Sequence, residues 1–164
     1  MSGESIYKIS VDAIASSEVR VFGKHLKGTY IVGERCQARF FFTNVSDYPF
    51  PGGEYWVQFE YPGGTFAWRG NLPTLEPGKR CPIETRSLPE PFKREGYGSL
   101  ACTKLTATDG KEVKLDPPAY TPCIEIRVVT RTEIYERCML FIAIVSLGIL
   151  ALEKFYWLVR SFFN

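Results

Sequence analysis

Hydrophobic and polar residues alternate in short runs along most of the chain, up to about residue 130. The clearest run is RCQARFFFT, residues 35–43, in which every second residue from Cys36 to Phe42 is apolar. Successive side chains of a strand point to opposite faces, so this run predicts a strand with one buried face. EYWVQFEY, residues 54–61, alternates in the same way and predicts the returning strand.

Clusters of Gly, Pro, Asn and Asp separate these runs, as at residues 44–53, 62–64 and 72–79. The Asp109–Gly110 turn predicts a hairpin in which residues 111–115 return along the preceding strand. The chain shows about seven to nine such runs and no helical period before residue 130, a pattern typical of all-β domains. We therefore expect an immunoglobulin-like antiparallel β-sandwich, with a β-barrel as the alternative.

The C-terminal region has a different pattern. CMLFIAIVSLGILAL, residues 138–152, carries no charge, and Glu153–Lys154 separates it from a second apolar stretch, FYWLV. Fifteen helical residues rise about 22 Å, whereas residues 138–159 rise about 33 Å, enough for a hydrocarbon core of about 30 Å. We expect one transmembrane helix. A buried core helix is disfavoured, because nothing else in the chain is able to surround it.

The boundary between these regions has a helix-start signal. Thr130-Arg-Thr-Glu133 matches the T-x-x-E capping box. The sequence thus predicts a β-sandwich over residues 1–130, followed by a juxtamembrane and transmembrane helix over residues 131–164.

Several residues of the helix have predicted roles at the membrane. Aromatic rings and long basic side chains favour the headgroup level. Glu153 either lies at this interface or faces a partner helix, because a carboxylate in lipid is costly. Gly148 and Glu153 are the predicted helix-pairing residues. The predicted interface residues are Lys154, Tyr156, Trp157 and Arg160.

The N-terminus has no apolar run of signal-peptide length. Three arginines in about twenty residues before the span, against two basic residues after it, favour a cytoplasmic N-terminal domain. Asn44-Val45-Ser46 is an N-glycosylation sequon, and it would matter only in an extracytoplasmic domain. An asparagine that closes a strand is the structural alternative.

Composition disfavours several functional classes. Twenty Lys and Arg are scattered among eighteen Asp and Glu, for a net charge of +2, so nucleic acid is not expected as a partner. Five dispersed cysteines and a single histidine, His25, disfavour a metal site. No nucleophile-and-base or phosphate-binding motif is present. We therefore expect a non-enzymatic protein without a cofactor.

RFFFTNVSD, residues 39–47, and LPTLEPGK, residues 72–79, together resemble CARDB-like domains of prokaryotic proteins. In such domains a strand ends in Asn before a loop, and a later L-x-P-G marks a turn. The resemblance covers about residues 29–115. It implies a seven-stranded sandwich used for adhesion, spacing or protein contact, with no catalytic residues to carry over.

The order Cys36, Trp56, Cys102 is similar to that of true immunoglobulin domains, in which a tryptophan packs on an inter-sheet disulfide. This resemblance implies a Cys36–Cys102 bridge. However, Trp56 falls on the opposite alternation from Val57 and Phe59.

Aromatic residues are concentrated between Tyr55 and Trp68. A strand pair has only two faces, so they cannot all enter one core, and we expect Trp56, Phe66 and Trp68 to form a partner-binding patch. Alternatively, a large core or the membrane surface absorbs them. A flat patch would favour an accessory subunit that binds a protein partner or forms a homo-oligomer. A concave aromatic pocket would favour a membrane-tethered sensor of a ligand or carbohydrate.

Overall fold

The computed structural model describes residues 6–16, 20–21, 24–25 and 28–163, with side chains described for 6–16 and 28–157. The chain forms two compact units, Met1–Val129 and Thr130–Asn164. The described part contains twelve strands and one helix, α1 (Arg131–Phe163). The strands are β1 (Tyr7–Ser16), β2 (Arg20–Val21), β3 (Lys24–His25), β4 (Thr29–Ile31), β5 (Gln37–Asn44), β6 (Gly53–Tyr61), β7 (Gly64–Leu72), β8 (Arg80–Pro82), β9 (Arg86–Ser87), β10 (Gly96–Ala107), β11 (Val113–Asp116) and β12 (Pro122–Val129).

The strands of the first unit form two five-stranded sheets and a small β2–β3 hairpin. The first sheet has the order β11-β1-β5-β8, and β9 also pairs with β5. The second sheet has the order β4-β12-β10-β6-β7. The predicted β character is thus confirmed.

Both sheets are mixed, which corrects the expectation of a purely antiparallel fold. β11 does not return along β10 as the Asp109–Gly110 turn predicted, because it pairs in parallel with β1. β4 likewise pairs in parallel with β12. A parallel pair needs a long crossover between its strands, so the local pattern around a turn does not reveal it.

The apolar faces of the two sheets meet in a common core. On β5, Ala38, Phe40 and Phe42 are buried, and on β6 the same holds for Tyr55 and Val57. The ring centroids of Phe42 and Tyr55 lie 5.3 Å apart, which joins one sheet to the other. The alternation read from the sequence is confirmed on both strands.

Asn44 ends β5 as a wholly buried polar residue, with 0% exposure. Its amide Nδ2 donates to Tyr48 O (2.9 Å) and Leu75 O (2.8 Å), and its Oδ1 accepts from both N and Oγ of Ser46. These bonds connect the two segments on which the CARDB resemblance depends, residues 39–47 and 72–79. The sequon asparagine therefore has a structural role and is not accessible for modification in the folded domain.

One residue, Thr130, separates β12 from the start of the helix α1, at the predicted capping signal. Glu133 N donates to Thr130 Oγ1 at 3.2 Å, and Arg137 forms an ion pair with Glu133 at 2.8 Å. The helix continues through Glu153–Lys154 without a break, so the interruption in apolar character is not an interruption in structure. In the described part of the chain, one helical segment, Arg131–Trp157, is long and apolar enough to cross a membrane, and its most apolar stretch of 18 residues has a mean hydropathy of 2.1.

Candidate interaction surface

Three side chains form a row across the outer face of the second sheet. In the β6–β7 register Trp56 lies opposite Arg69, and in the β6–β10 register it lies opposite Lys104. We call these three residues the Trp56 row. It places an aromatic ring between two cations on adjacent strands.

Both cations contact the indole ring. Arg69 Cζ lies 5.8 Å from the ring centroid of Trp56, and Lys104 Nζ lies 5.7 Å from it. These distances are within the range of about 6 Å at which a cation is attracted to an aromatic face. Trp56 nevertheless remains 41% exposed, so part of its ring is available to a partner.

A β-bulge brings Lys104 into the row. The register of β10 against β6 shifts between Cys102 and Lys104, so that Thr103 is skipped in the pairing. Thr103 Oγ1 instead donates to the carbonyl oxygen of Trp56 at 3.2 Å. An extra residue in one strand re-aims the side chains that follow it, and here it turns Lys104 towards Trp56.

Tyr120 lies near one end of the row. It is 74% exposed and adopts a positive φ of 65°, and its backbone N donates to Cys102 O at 3.0 Å. An open groove of about 480 Å³ runs beside the row, and its lining includes Trp56, Arg69, Thr103 and Tyr120. Glu54, paired with Arg69 at 3.9 Å, is the acidic neighbour on the same face.

The predicted patch of Trp56, Phe66 and Trp68 does not form as one surface. Trp68 lies opposite Val57 in the β6–β7 register, so it shares the inner face of the sheet. Its ring centroid lies 5.6 Å from that of Phe40 and 5.3 Å from that of Phe66, and both Phe66 and Trp68 pack against the core. Strand alternation has a period of two, and Trp56 falls on the other face.

The implied Cys36–Cys102 bridge is absent, and all five cysteines are free. Cys102 lies in the second sheet, where its Sγ is 3.5 Å from Trp56 O, whereas Cys36 precedes β5 of the first sheet. Burial raises the pKa of the Cys36 thiol to about 11 and that of Cys102 to about 12. Both thiols are therefore protonated and unreactive at neutral pH.

The residues predicted to act in helix pairing and at the membrane interface all lie on α1, and the structure does not test these roles. Glu153, Lys154, Tyr156 and Trp157 are exposed. A Cβ added at Gly148 would meet no atom within 4 Å, so close approach of another helix is sterically open there. Their parts in helix pairing and at the membrane interface stay predictions. The side chain of Arg160 lies outside the described residues.

The described side chains contain no group of three or more His, Cys, Asp or Glu that could hold a metal ion. The side chain of His25 falls outside that set.

A CARDB domain is among the solved structures to which the chain is similar. The CARDB domain of a Pyrococcus furiosus protein, solved in complex with di-metal ions, matches 78% of this chain and 98% of its own, at 10% identity and a TM-score of 0.46. The predicted resemblance to CARDB domains is thus confirmed. A β-glucosidase from Listeria innocua in complex with glucose matches 77% of this chain at 13% identity and a TM-score of 0.41, and the match spans 16% of that enzyme. No protein-family model and no curated protein matches the sequence.

Proposed function

We propose that this chain is a non-enzymatic, single-pass membrane protein whose β domain binds a protein partner through the Trp56 row. In this proposal the two sheets form an immunoglobulin-like sandwich, α1 crosses the bilayer, and the domain lies on the cytoplasmic side. The observation that carries the proposal is the exposed Trp56 held between Arg69 and Lys104. Tryptophan and arginine are the residue types most enriched at the energetic centres of protein interfaces.

The chemistry of the row specifies the kind of partner. Two cations flank the ring, and the nearby Glu54 is paired with one of them, at 3.9 Å. A complementary surface would present carboxylates to Arg69 and Lys104 and an apolar or aromatic side chain to Trp56. We therefore expect an acidic partner and an association that weakens as the ionic strength rises.

A second candidate is a ligand-binding sensor, favoured by the groove between Trp56 and Tyr120. Two exposed rings of this kind would stack on a sugar, and Thr103 lines the groove between them. The groove is open along the sheet and does not enclose a ligand, so protein contact is the better-supported function.

The test is affinity purification of the full chain from detergent-solubilised membranes of its source cells. A partner identified by mass spectrometry should be lost with Trp56→Ala, with affinity falling about 30-fold or more, as for a central interface tryptophan. Tyr97→Ala is the matched control, because Tyr97 is 76% exposed on the same sheet and also has a cation, Arg127, over its ring. Equal recovery with both variants would refute the role of the row.

Sidedness needs a separate measurement. In sealed vesicles of known orientation, added protease should digest the β domain only when the cytoplasmic face is outward. Digestion from the opposite face would overturn the proposed orientation and leave the interaction surface unaffected.

A further inference from the structure

The free edge of β7 is the surface from which a further inference follows. β7 (Gly64–Leu72) is the last strand of the second sheet, and no described residue pairs with its outer edge. Its pairing with β6 is continuous from Tyr61–Gly64 at the turn to Gly53–Leu72 at the far end. The edge is therefore nine residues long, and its register has no bulge.

The register identifies which backbone groups point away from the sheet. Two residues, Pro62 and Gly63, connect β6 to β7, and the pair that flanks a two-residue hairpin loop exchanges hydrogen bonds. Hydrogen-bonded and non-hydrogen-bonded pairs then alternate along the strands. In the pairs that are not hydrogen-bonded to β6, the N–H and C=O of the β7 residue face outward. These β7 residues are Thr65, Ala67, Arg69 and Asn71.

These outward-facing groups have no other partner in the described part of the chain. None of the four residues takes part in a backbone hydrogen bond outside the strand ladder. All four are exposed. Four donors and four acceptors thus stand in a straight line, which is the template to which another strand adds.

The other terminal strands of the two sheets are short. β4 has 3 residues, β11 has 4, β9 has 2, and β8 has 3 and ends in Pro82. Natural sheets protect their edges with short strands, prolines, lysines or bulges. β7 has none of these features, and its one charge, Arg69, lies on the outer face.

We propose that two copies of this chain pair antiparallel through β7, about a two-fold axis at Trp68. This register places Thr65 opposite Asn71 of the second copy and Ala67 opposite Arg69. It is the register in which all four outward-facing residues of each copy find a partner. Each hydrogen-bonded pair exchanges two bonds, so the edge gains about eight.

The alternative registers are poorer for a physical reason. A shift of one pair towards the turn leaves a residue of each copy unpaired, with about six bonds in place of eight. The same shift in the other direction also sets Arg69 against Arg69 of the second copy, and like charges directly opposite are destabilising. At the chosen register each Arg69 faces the small Ala67, and the half-buried Trp68 rings meet on the inner face.

This pairing goes beyond the proposed function, because it uses the backbone edge of β7 and does not need a partner on the Trp56 row. Loss of Trp56 should leave it unchanged. The two proposals therefore fail separately.

The test uses the full chain in detergent micelles and two differently tagged variants. Residues in a hydrogen-bonded antiparallel pair have Cα atoms about 5.5 Å apart, within the range of about 4.4–6.8 Å that a disulfide spans. Mixed Ala67→Cys and Arg69→Cys chains should form a heterodimeric disulfide under mild oxidation. Ala67→Cys mixed with Ala67→Cys is the matched control and should not. The wild-type chain, oxidised in the same way, gives the cross-linking that the native cysteines produce, and this background is subtracted.

A charge pair gives a second readout without cysteine. Ala67→Glu places a carboxylate opposite each Arg69, and both copies contribute, so dimer affinity by sedimentation should rise by about 2- to 30-fold. Ala67→Lys should lower it by a similar factor. Trp56→Ala should change neither result. A wild-type chain that stays monomeric, cross-links that are equal in the matched control, or equal effects of Glu and Lys would each overturn the pairing.

Discussion

Replacement of Asn44 tests how much its side chain stabilises the contact between the loop after β5 and the segment around Leu75. The side chain is buried and makes four hydrogen bonds, two as a donor to Tyr48 O and Leu75 O and two as an acceptor from Ser46. Asn44→Ala removes all four. Asn44→Asp keeps the size and the acceptor oxygen but replaces the donor by a carboxylate oxygen that faces two carbonyl oxygens.

The expected magnitudes follow from these contacts. A net contribution of about 1 kcal/mol per bond predicts that Asn44→Ala lowers the free energy of unfolding by about 3–4 kcal/mol. Asn44→Asp should be worse at neutral pH, by about 1 kcal/mol or more, because it also buries an unpaired charge. Its deficit should shrink as the pH is lowered, since a protonated carboxyl regains one O–H donor.

The assay is urea unfolding of the full chain in detergent, followed by tryptophan fluorescence. Trp68 packs on Phe40 in the core and should report loss of the domain. Asn71→Ala is the control of the same residue type, and at its exposed site the change should stay within about 0.5 kcal/mol. If Asn44→Asp were more stable than Asn44→Ala at neutral pH, the amide donors would not be what stabilises this junction.

Two further predictions concern the core of the sheets. Gly98→Ala should lower the free energy of unfolding by about 1–3 kcal/mol or more, because the new Cβ would lie 2.4 Å from Glu60 O, and Ser99→Ala on the same strand should have a small effect in the same melt. Stability should also fall as the pH rises above 9, because burial raises the folded pKa of Cys36 to about 11 and of Cys102 to about 12 from an ordinary 9.0. A raised pKa gives stability that is fully present below the unfolded value and is lost on the alkaline side, at about 1 kcal/mol per pH unit for each thiol. From pH 8 to 11, the free energy of unfolding should therefore fall less steeply with pH in Cys102→Ala than in the wild-type chain. An unchanged slope would contradict the raised pKa of Cys102.

Much of the fold could be predicted from local patterns. Alternation over residues 35–43 and 54–61 identifies two core strands and their buried faces, since side-chain direction in a strand depends only on a period of two. The apolar run after Cys138 and the T-x-x-E signal at Thr130 identify the helix and its start for the same kind of local reason. The pairing of Arg69 with Trp56 could also be predicted from the sequence, because a two-residue turn at Pro62–Gly63 determines the register of the hairpin.

Other features depend on contacts between distant segments. The parallel pairing of β11 with β1 joins opposite ends of the domain, so no turn in the sequence indicates it. Lys104 reaches the Trp56 row through a bulge whose position only the pairing of β10 with β6 decides. Phe66 and Trp68 were predicted on the surface with Trp56, but they are half-buried on the inner face, because the register of β7 places them against the core.

The strands, their apolar faces and the apolar helix can thus be predicted from the chain alone, because these features depend on the order of neighbouring residues. Which strands pair, which cysteines stay apart and which cations flank Trp56 become visible only in the folded domain. These choices depend on the entropy and geometry of closing long loops, and on a core that only the assembled sheets create.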